Sequence, residues 1–228
     1  MRAIFYIDGF NFYYLRMRAL PAWKWLDVKK MADSLVGKNE SVSEVNYYTA
    51  RVSGKVDHDA HQRQAAYFRA LNSIPEVNLH YGRFLFGEKW AGLIKPPRSK
   101  PDGYGWVEPS PVVVYVRKTE EKGSDVNLGA HLVRDAFMDK FDVAYVLTND
   151  TDLVEPIRIV TEEVGKKVGI VAPCRQKNRS PIPIPSPSLA KVSSFTVYID
   201  DKHLSGSQLA DPFPTGKGKT VSKPATWQ

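Results

Sequence analysis

The chain has a single cysteine, no long apolar run and no excess of acidic residues. Cys174 is the only cysteine among its 228 residues, which excludes an internal disulfide and any zinc site built from cysteines. Such a low cysteine content is typical of a protein in a reducing compartment. No stretch is long and apolar enough for a signal peptide or a membrane span, so we expect a cytoplasmic protein without membrane attachment. Lysine and arginine outnumber aspartate and glutamate by 32 to 25, and the net charge of +7 favours an acidic partner such as nucleic acid.

Short β-branched and aromatic runs alternate with segments of helical periodicity. Runs of this kind, bounded by glycine, proline and polar turn residues, are typical of strands buried in a parallel sheet. Strands that alternate with helices predict an α/β fold with right-handed crossovers. We expect strands at 3–7, 44–52, 77–86, 111–116, 143–147 and 167–172.

Three segments depart from this pattern within a domain expected to span 1–204. Residues 87–111 are rich in Gly, Pro, Lys and Trp and predict an exposed basic hairpin or flap, which could contact a phosphate backbone or simply remain solvated. Residues 175–188 are rich in proline and predict an extended loop. Residues 205–228 are expected to form a flexible C-terminal tail.

Aspartates follow the predicted strands at the points where those strands end. Asp8 ends the first strand, Asp125 begins the helix after a later one, and Asp150 and Asp152 follow the run at 143–147. Taken singly, Asp8 and Asp125 are ordinary helix-start residues. Because the carboxyl ends of parallel strands meet at one edge of the sheet, all four carboxylates are expected to converge there.

Four converging carboxylates are a pattern typical of a metal site. Without a cation their mutual repulsion would leave some of them protonated. Hard divalent ions such as Mg²⁺ or Mn²⁺ prefer oxygen ligands, and in nucleases they activate water and orient the phosphodiester. An acidic edge within a net basic chain therefore suggests a catalytic centre of carboxylates surrounded by basic residues that contact phosphates.

Three short motifs around these acids resemble those of the NYN domain family of PIN-like nucleases. Their order and spacing also match, and the resemblance extends over about residues 2–173, with a further short segment at 205–212. The motifs are Asp8-Gly9-Phe10-Asn11, Lys122-Gly123-Ser124-Asp125-Val126-Asn127 and Thr148-Asn149-Asp150-Thr151-Asp152-Leu153.

This resemblance implies a Rossmann-like three-layer α/β/α sandwich and RNA cleavage that depends on Mg²⁺ or Mn²⁺. The positions that match the family's metal-binding acids are Asp8, Asp125, Asp150 and Asp152. Residues that would bind substrate or support the acids are Asn11, Ser124, Thr148 and Asn149.

The sequence thus predicts a metal-dependent ribonuclease that acts on single-stranded or structured RNA. The alternative is an RNA-binding or regulatory module without turnover on the same fold. A phosphatase is disfavoured because no second aspartate stands two residues after Asp8, and a receiver domain because no strand-end lysine follows Asp152 clearly. Oligomeric state is left open, with a homo-oligomer as one outcome. The sharpest expectation is that all four carboxylates, Asp125 included, form one metal-coordinating cluster.

Overall fold

The centre of the structure is a six-stranded parallel sheet. The computed structural model describes residues 1–52, 54, 57–94, 111–174 and 184–227. In chain order its strands are β1 (Arg2–Asp8), β2 (Ser41–Thr49), β3 (Val77–Tyr81), β4 (Arg83–Gly92), β5 (Val113–Lys122), β6 (Val143–Leu147), β7 (Lys167–Ala172), β8 (Phe195–Tyr198), β9 (Phe213–Pro214) and β10 (Thr220–Val221). The central sheet has the order β3-β2-β1-β6-β7-β8, and each neighbouring pair is parallel.

Helices cover both faces of this sheet. They are α1 (Gly9–Leu15), α2 (Val28–Leu35), α3 (His58–Leu71), α4 (Ser124–Phe137), α5 (Val154–Arg158), which continues as a π-helical turn (Ile159–Glu163), α6 (Pro187–Val192) and α7 (Asp201–Ser205). Single 3₁₀ turns lie at Met17–Ala19, Pro21–Trp23, Thr151–Leu153 and Ala225–Trp227.

The alternation of side chains along β1 separates the core into two layers. Phe5 and Ile7 belong to a buried cluster with residues of α2 and α3, whereas Tyr6 packs in a second cluster with Leu128 of α4 and Ile157 of α5. Successive strand residues point to opposite faces, so one strand feeds both layers. The predicted Rossmann-like α/β/α fold is confirmed.

The direction in which the chain adds strands reverses between β1 and β6. From β1 the chain moves outward through β2 to β3, and from β6 it moves the other way through β7 to β8. A crevice forms at such a switch point, outside the carboxyl ends of the strands. The residues that follow β1 and β6 therefore lie at the position where this class of fold binds ligands.

Two predicted strands differ from the structure. The segment 77–86 contains two strands, of which only β3 joins the central sheet, while β4 pairs with β5 in a separate antiparallel arm. The run at 111–116 was expected to be buried, but Trp90 and Tyr115, paired across the arm, are both exposed. An apolar run identifies a strand without identifying its partner. The central part of the predicted flap, 95–110, lies outside the described residues.

The C-terminal segment packs against the domain, which corrects the prediction of a flexible tail over 205–228. The Asp27 amide donates to the Ser207 carbonyl at 2.7 Å, and Trp25 Nε1 donates to the Ala210 carbonyl at 2.9 Å. The Trp227 ring lies 6.4 Å from that of Trp25, between ring centroids. A few bulky residues anchor a segment whose composition is otherwise polar; Gln228 lies outside the described residues.

Only the end of the proline-rich segment 175–188 falls within the described residues. Residues 175–183 lie outside them. Pro187 begins α6, whose Leu189 is buried in the second core layer. The Ser186 amide donates to Asn149 Oδ1 at 2.8 Å, which ties the start of α6 to the residues that follow β6.

Candidate active site

Asp8 is the buried carboxylate at the switch point. It ends β1 and caps α1, with Oδ1 accepting from the Asn11 amide and Oδ2 from the Thr148 hydroxyl, each at 3.0 Å. Only 8% of the residue is exposed. Burial is the largest cause that raises the pKa of Asp8 to about 6, and the negative charges of Asp150 and Asp125 also raise it. The two hydrogen bonds act in the opposite direction and lower the pKa. The carboxyl group of Asp8 therefore changes its protonation state about one pH unit below neutrality.

The residues after β6 are held to the end of β1 by side-chain hydrogen bonds. The buried Thr148 hydroxyl also accepts from the Asp150 amide at 3.0 Å. The Asn149 amide donates to Asn11 Oδ1 at 2.8 Å. Asn11, Thr148 and Asn149, predicted as supporting residues, thus fix the geometry of the acidic edge.

Asp125 and Ser124 lie at the start of α4. Gly123, with φ 94°, is the N-cap of this helix, and Ser124 is its first residue and is buried. The Ser124 amide donates to Glu121 Oε1 at 3.1 Å, and Asp125 Oδ1 accepts from the Val126 amide at 2.8 Å. The charge of Asp125 contributes to the raised pKa of Asp8.

The structure places the four predicted acids at the end of β1, at the start of α4 and in the turn after β6. Asp8 experiences the charges of Asp125 and Asp150, whereas Asp152 is exposed in the turn that Asp150 caps through its own Oδ1, 3.1 Å from the Asp152 amide. Within the described ranges, no group of three or more histidine, cysteine, aspartate or glutamate side chains is arranged to hold a metal ion. The four-carboxylate cluster is not seen there, and binding of Mg²⁺ or Mn²⁺ stays a prediction.

An aromatic cavity of about 310 Å³ opens beside the junction of β1 and α1. Gly9, the residue after Asp8, forms part of its wall. Most of the remaining wall is aromatic and includes Tyr13, Tyr47, Tyr67 and Trp227. We refer to it as the aromatic pocket. The sequence did not predict it, because its wall combines residues from α1, β2, α3, β4 and the C-terminal turn; the one local signal is the aromatic run at 10–14.

Gly9 allows α1 to begin close against β2. A Cβ atom at this position would lie 2.7 Å from the Tyr48 carbonyl oxygen and 2.7 Å from the Tyr47 ring. We therefore expect Gly9→Ala to reduce the free energy of unfolding by about 1–3 kcal/mol, a typical cost of overpacking, and to distort the pocket. Urea denaturation measures this loss. Gly37→Ala, where the nearest atom to the new Cβ is the Glu40 carboxyl carbon at 3.6 Å, is the control; equal stability of the two variants would contradict the prediction.

The chain is similar in sequence to a curated protein and in fold to a solved structure. No family model matches the chain. The chain is 28% identical over 254 aligned positions to 6-hydroxy-3-succinoylpyridine 3-monooxygenase HspA of Pseudomonas putida (strain DSM 28022 / S16), an alignment that covers 100% of this chain and 75% of that protein. A protein of unknown function from Vibrio parahaemolyticus RIMD 2210633, VPA0982, superposes with a TM-score of 0.50 at 18% identity, covering 88% of this chain and 93% of that one. The second likeness concerns the fold alone.

The similarity to HspA corrects the predicted function. That relative is a monooxygenase by name, so the prediction of a metal-dependent ribonuclease is wrong. The broader prediction of an enzyme agrees with this relative. The resemblance to NYN domains and RNA as a partner stay untested predictions. No helix in the described part of the chain is long and apolar enough to cross a membrane.

Proposed function

We propose that the chain is a monooxygenase that hydroxylates a small aromatic compound bearing a ring hydroxyl group. The observation that carries the proposal is the aromatic pocket beside Asp8, in a chain that aligns over its whole length with a protein named for hydroxypyridine oxygenation. Pockets for small ligands are concave and mostly apolar, with few polar groups that fix orientation. Aromatic side chains in the wall suit a planar ring, which gains from stacked or edge-on contacts.

The reaction balances with dioxygen and two equivalents of a two-electron reductant. At position 3 of 6-hydroxy-3-succinoylpyridine the bond between the ring carbon and the acyl carbon breaks, and a C–OH group forms with one oxygen atom taken from O₂. The acyl group leaves as an aldehyde, and this half of the reaction takes up two electrons and two protons. The O–O bond breaks, and the second oxygen atom leaves as water after accepting two electrons and two protons. We assign the reductant to the reduced nicotinamide or reduced flavin class, the usual sources of such electrons.

In this proposal the residues of the chain bind the ring, exclude water and move one proton. Asp8 accepts the proton of the ring hydroxyl, which makes the ring more electron-rich and more reactive towards an electrophilic oxygen atom. With its pKa raised to about 6, Asp8 is ionised at neutral pH yet basic enough to act as a general base. Thr148 and the Asn11 amide hold its carboxylate in place.

The test is oxygen transfer from labelled dioxygen. The purified chain is incubated with 6-hydroxy-3-succinoylpyridine, NADH and a flavin under ¹⁸O₂, and the products are analysed by mass spectrometry. We expect a hydroxylated product that carries one ¹⁸O atom and does not form without oxygen or without reductant. The proposal fails if neither this compound nor a panel of hydroxylated aromatic acids yields a labelled product.

A further inference from the structure

The aromatic pocket has two positive charges in its wall and no acidic side chain among the described residues that line it. Lys24 and Arg63 are both half-buried, and all its other lining residues are uncharged. The Lys24 Nζ atom lies 5.3 Å from the centroid of the Tyr13 ring, a cation–π contact. The two charges therefore sit against the surface on which a ring would pack.

Neither charge is neutralised by another residue in the described part of the chain. Lys24 and Arg63 form no side-chain ion pair or hydrogen bond there, whereas Lys29 pairs with Asp33 at 2.7 Å. Burial lowers the pKa of Lys24, as do the positive charges of Arg63 and Arg18. Like charges held at a partly buried cavity without a counter-charge are unfavourable, and a bound anion would remove this cost.

We propose that Lys24 and Arg63 bind a carboxylate, so that the pocket takes an aromatic acid whose acidic group is on a short side chain. This inference rests on the proposed function and adds the substrate class. An arginine offers a planar pair of donors that matches a carboxylate, and the lysine adds a compact charge.

The charges of the site also fix the orientation of the ligand. The carboxylates of Asp8, Asp150 and Asp125 belong to the end of β1, the turn after β6 and the start of α4. They repel a ligand carboxylate, while Lys24 and Arg63 attract it. The acidic end of the ligand therefore lies away from Asp8, and its ring hydroxyl lies towards it. A site with opposite charges at its two ends selects which ring position reacts.

Equilibrium binding without reductant tests this assignment independently of turnover. Affinities for 6-hydroxy-3-succinoylpyridine and for its neutral primary amide are measured by calorimetry. We expect the acid to bind more tightly than the amide by about tenfold or more, the effect of one charged hydrogen bond. Lys24→Met and Arg63→Gln should each weaken binding of the acid about tenfold, leave the amide unchanged, and together abolish the preference.

Two variants of exposed cations on neighbouring helices serve as matched controls. Lys30→Met on α2 and Arg69→Gln on α3 lie outside the pocket wall and should leave both affinities unchanged. Unchanged affinity for the amide shows that the pocket variants remain folded.

Several outcomes would overturn the carboxylate site. They are equal affinity for acid and amide, a preference that survives in both pocket variants, failure of either ligand to bind, or tighter binding of adenosine 5′-monophosphate, which would assign the cations to a phosphate. A preference for the acid without transfer of ¹⁸O refutes the proposed function alone. Labelled product without that preference refutes the carboxylate site alone.

Discussion

Asp8→Asn is expected to lower the hydroxylation rate by about 10²- to 10⁴-fold while the protein remains folded, which is the usual contribution of a general base. The amide cannot accept the proton of the ring hydroxyl, although it is nearly isosteric with the carboxylate. The measurement is kcat with 6-hydroxy-3-succinoylpyridine, NADH and a flavin. Asp59→Asn, at an exposed acid in the first turn of α3, is the control and should retain the wild-type rate.

The same carboxylate predicts the pH dependence of the rate. Because Asp8 must be ionised to act as a base, the rate should rise with pH through about 6 and then level off. The residual rate of Asp8→Asn should lack this step. A wild-type profile that is flat between pH 5 and pH 7, or a step that persists in the variant, would show that another group is the base.

As pH rises towards 6, the free energy of unfolding should fall while the hydroxylation rate rises. The pKa of Asp8 is about 6 in the folded protein and 3.8 for an ordinary aspartate, so the native state binds this proton more tightly. Wild-type stability therefore falls as pH rises from about 4 to 6, and Asp8→Asn escapes that loss, which is worth up to about 3 kcal/mol. Urea denaturation of both proteins across this range measures the difference. A stability difference that does not change with pH would contradict the raised pKa.

The sequence predicted the position of Asp8 because position at a sheet edge is a local property. A buried strand followed by Asp8-Gly9 places the carboxylate at the strand's end, and parallel pairing brings the ends of β1 and β6 together. The sheet-edge argument does not predict the partners of the carboxylate, although the motif resemblance placed Asn11 and Thr148 among the supporting residues. The hydrogen bond to Thr148 joins residues far apart in the chain, and its geometry depends on the register of β1 against β6.

Function was harder to predict than fold because proteins with different activities share the geometry that these motifs describe. Three acidic motifs identify the edge of an α/β sheet, and that edge supports many chemistries. The features that favour an aromatic acid as the ligand are Trp227, Lys24 and Arg63, which are distant in sequence and meet only in the folded chain. Trp227 in particular lies in a segment whose polar composition predicts a flexible tail.

A second buried aspartate, missed by the sequence analysis, shows the contrast between a structural acid and a reactive one. Asp135 of α4 is 2% exposed and accepts from the Tyr6 hydroxyl at 3.0 Å. It also pairs with Arg134 Nη2 at 2.7 Å and Lys140 Nζ at 3.0 Å. Burial raises its pKa, but the hydrogen bonds from Lys140, Arg134 and Tyr6 outweigh that effect and hold the pKa below the ordinary 3.8.

Asp135→Asn is therefore expected to reduce the free energy of unfolding by about 2–3 kcal/mol; this lies below the usual cost of breaking a buried ion pair because the two cations are half-exposed. The loss should be constant above pH 4 and shrink as pH falls below 3.8, because the carboxylate of the unfolded wild-type chain is protonated before that of the folded protein. Urea denaturation measures it, with Asp139→Asn, at an exposed acid whose φ of 53° asparagine tolerates, as the control.

The asparagine variants of Asp135 and Asp8 should affect different properties, stability in the first and activity in the second. Asp135 lies ten residues beyond Asp125 on the same helix, about 15 Å from the acidic edge at the usual rise per residue. Its asparagine variant should keep the wild-type rate per folded molecule, whereas Asp8→Asn should keep its fold and lose the rate. The reason is that protein cations satisfy the charge of Asp135, while Asp8 accepts hydrogen bonds from the Asn11 amide and the Thr148 hydroxyl and experiences the negative charges of Asp150 and Asp125. Loss of the rate in folded Asp135→Asn would place this acid in the catalytic machinery and remove the distinction.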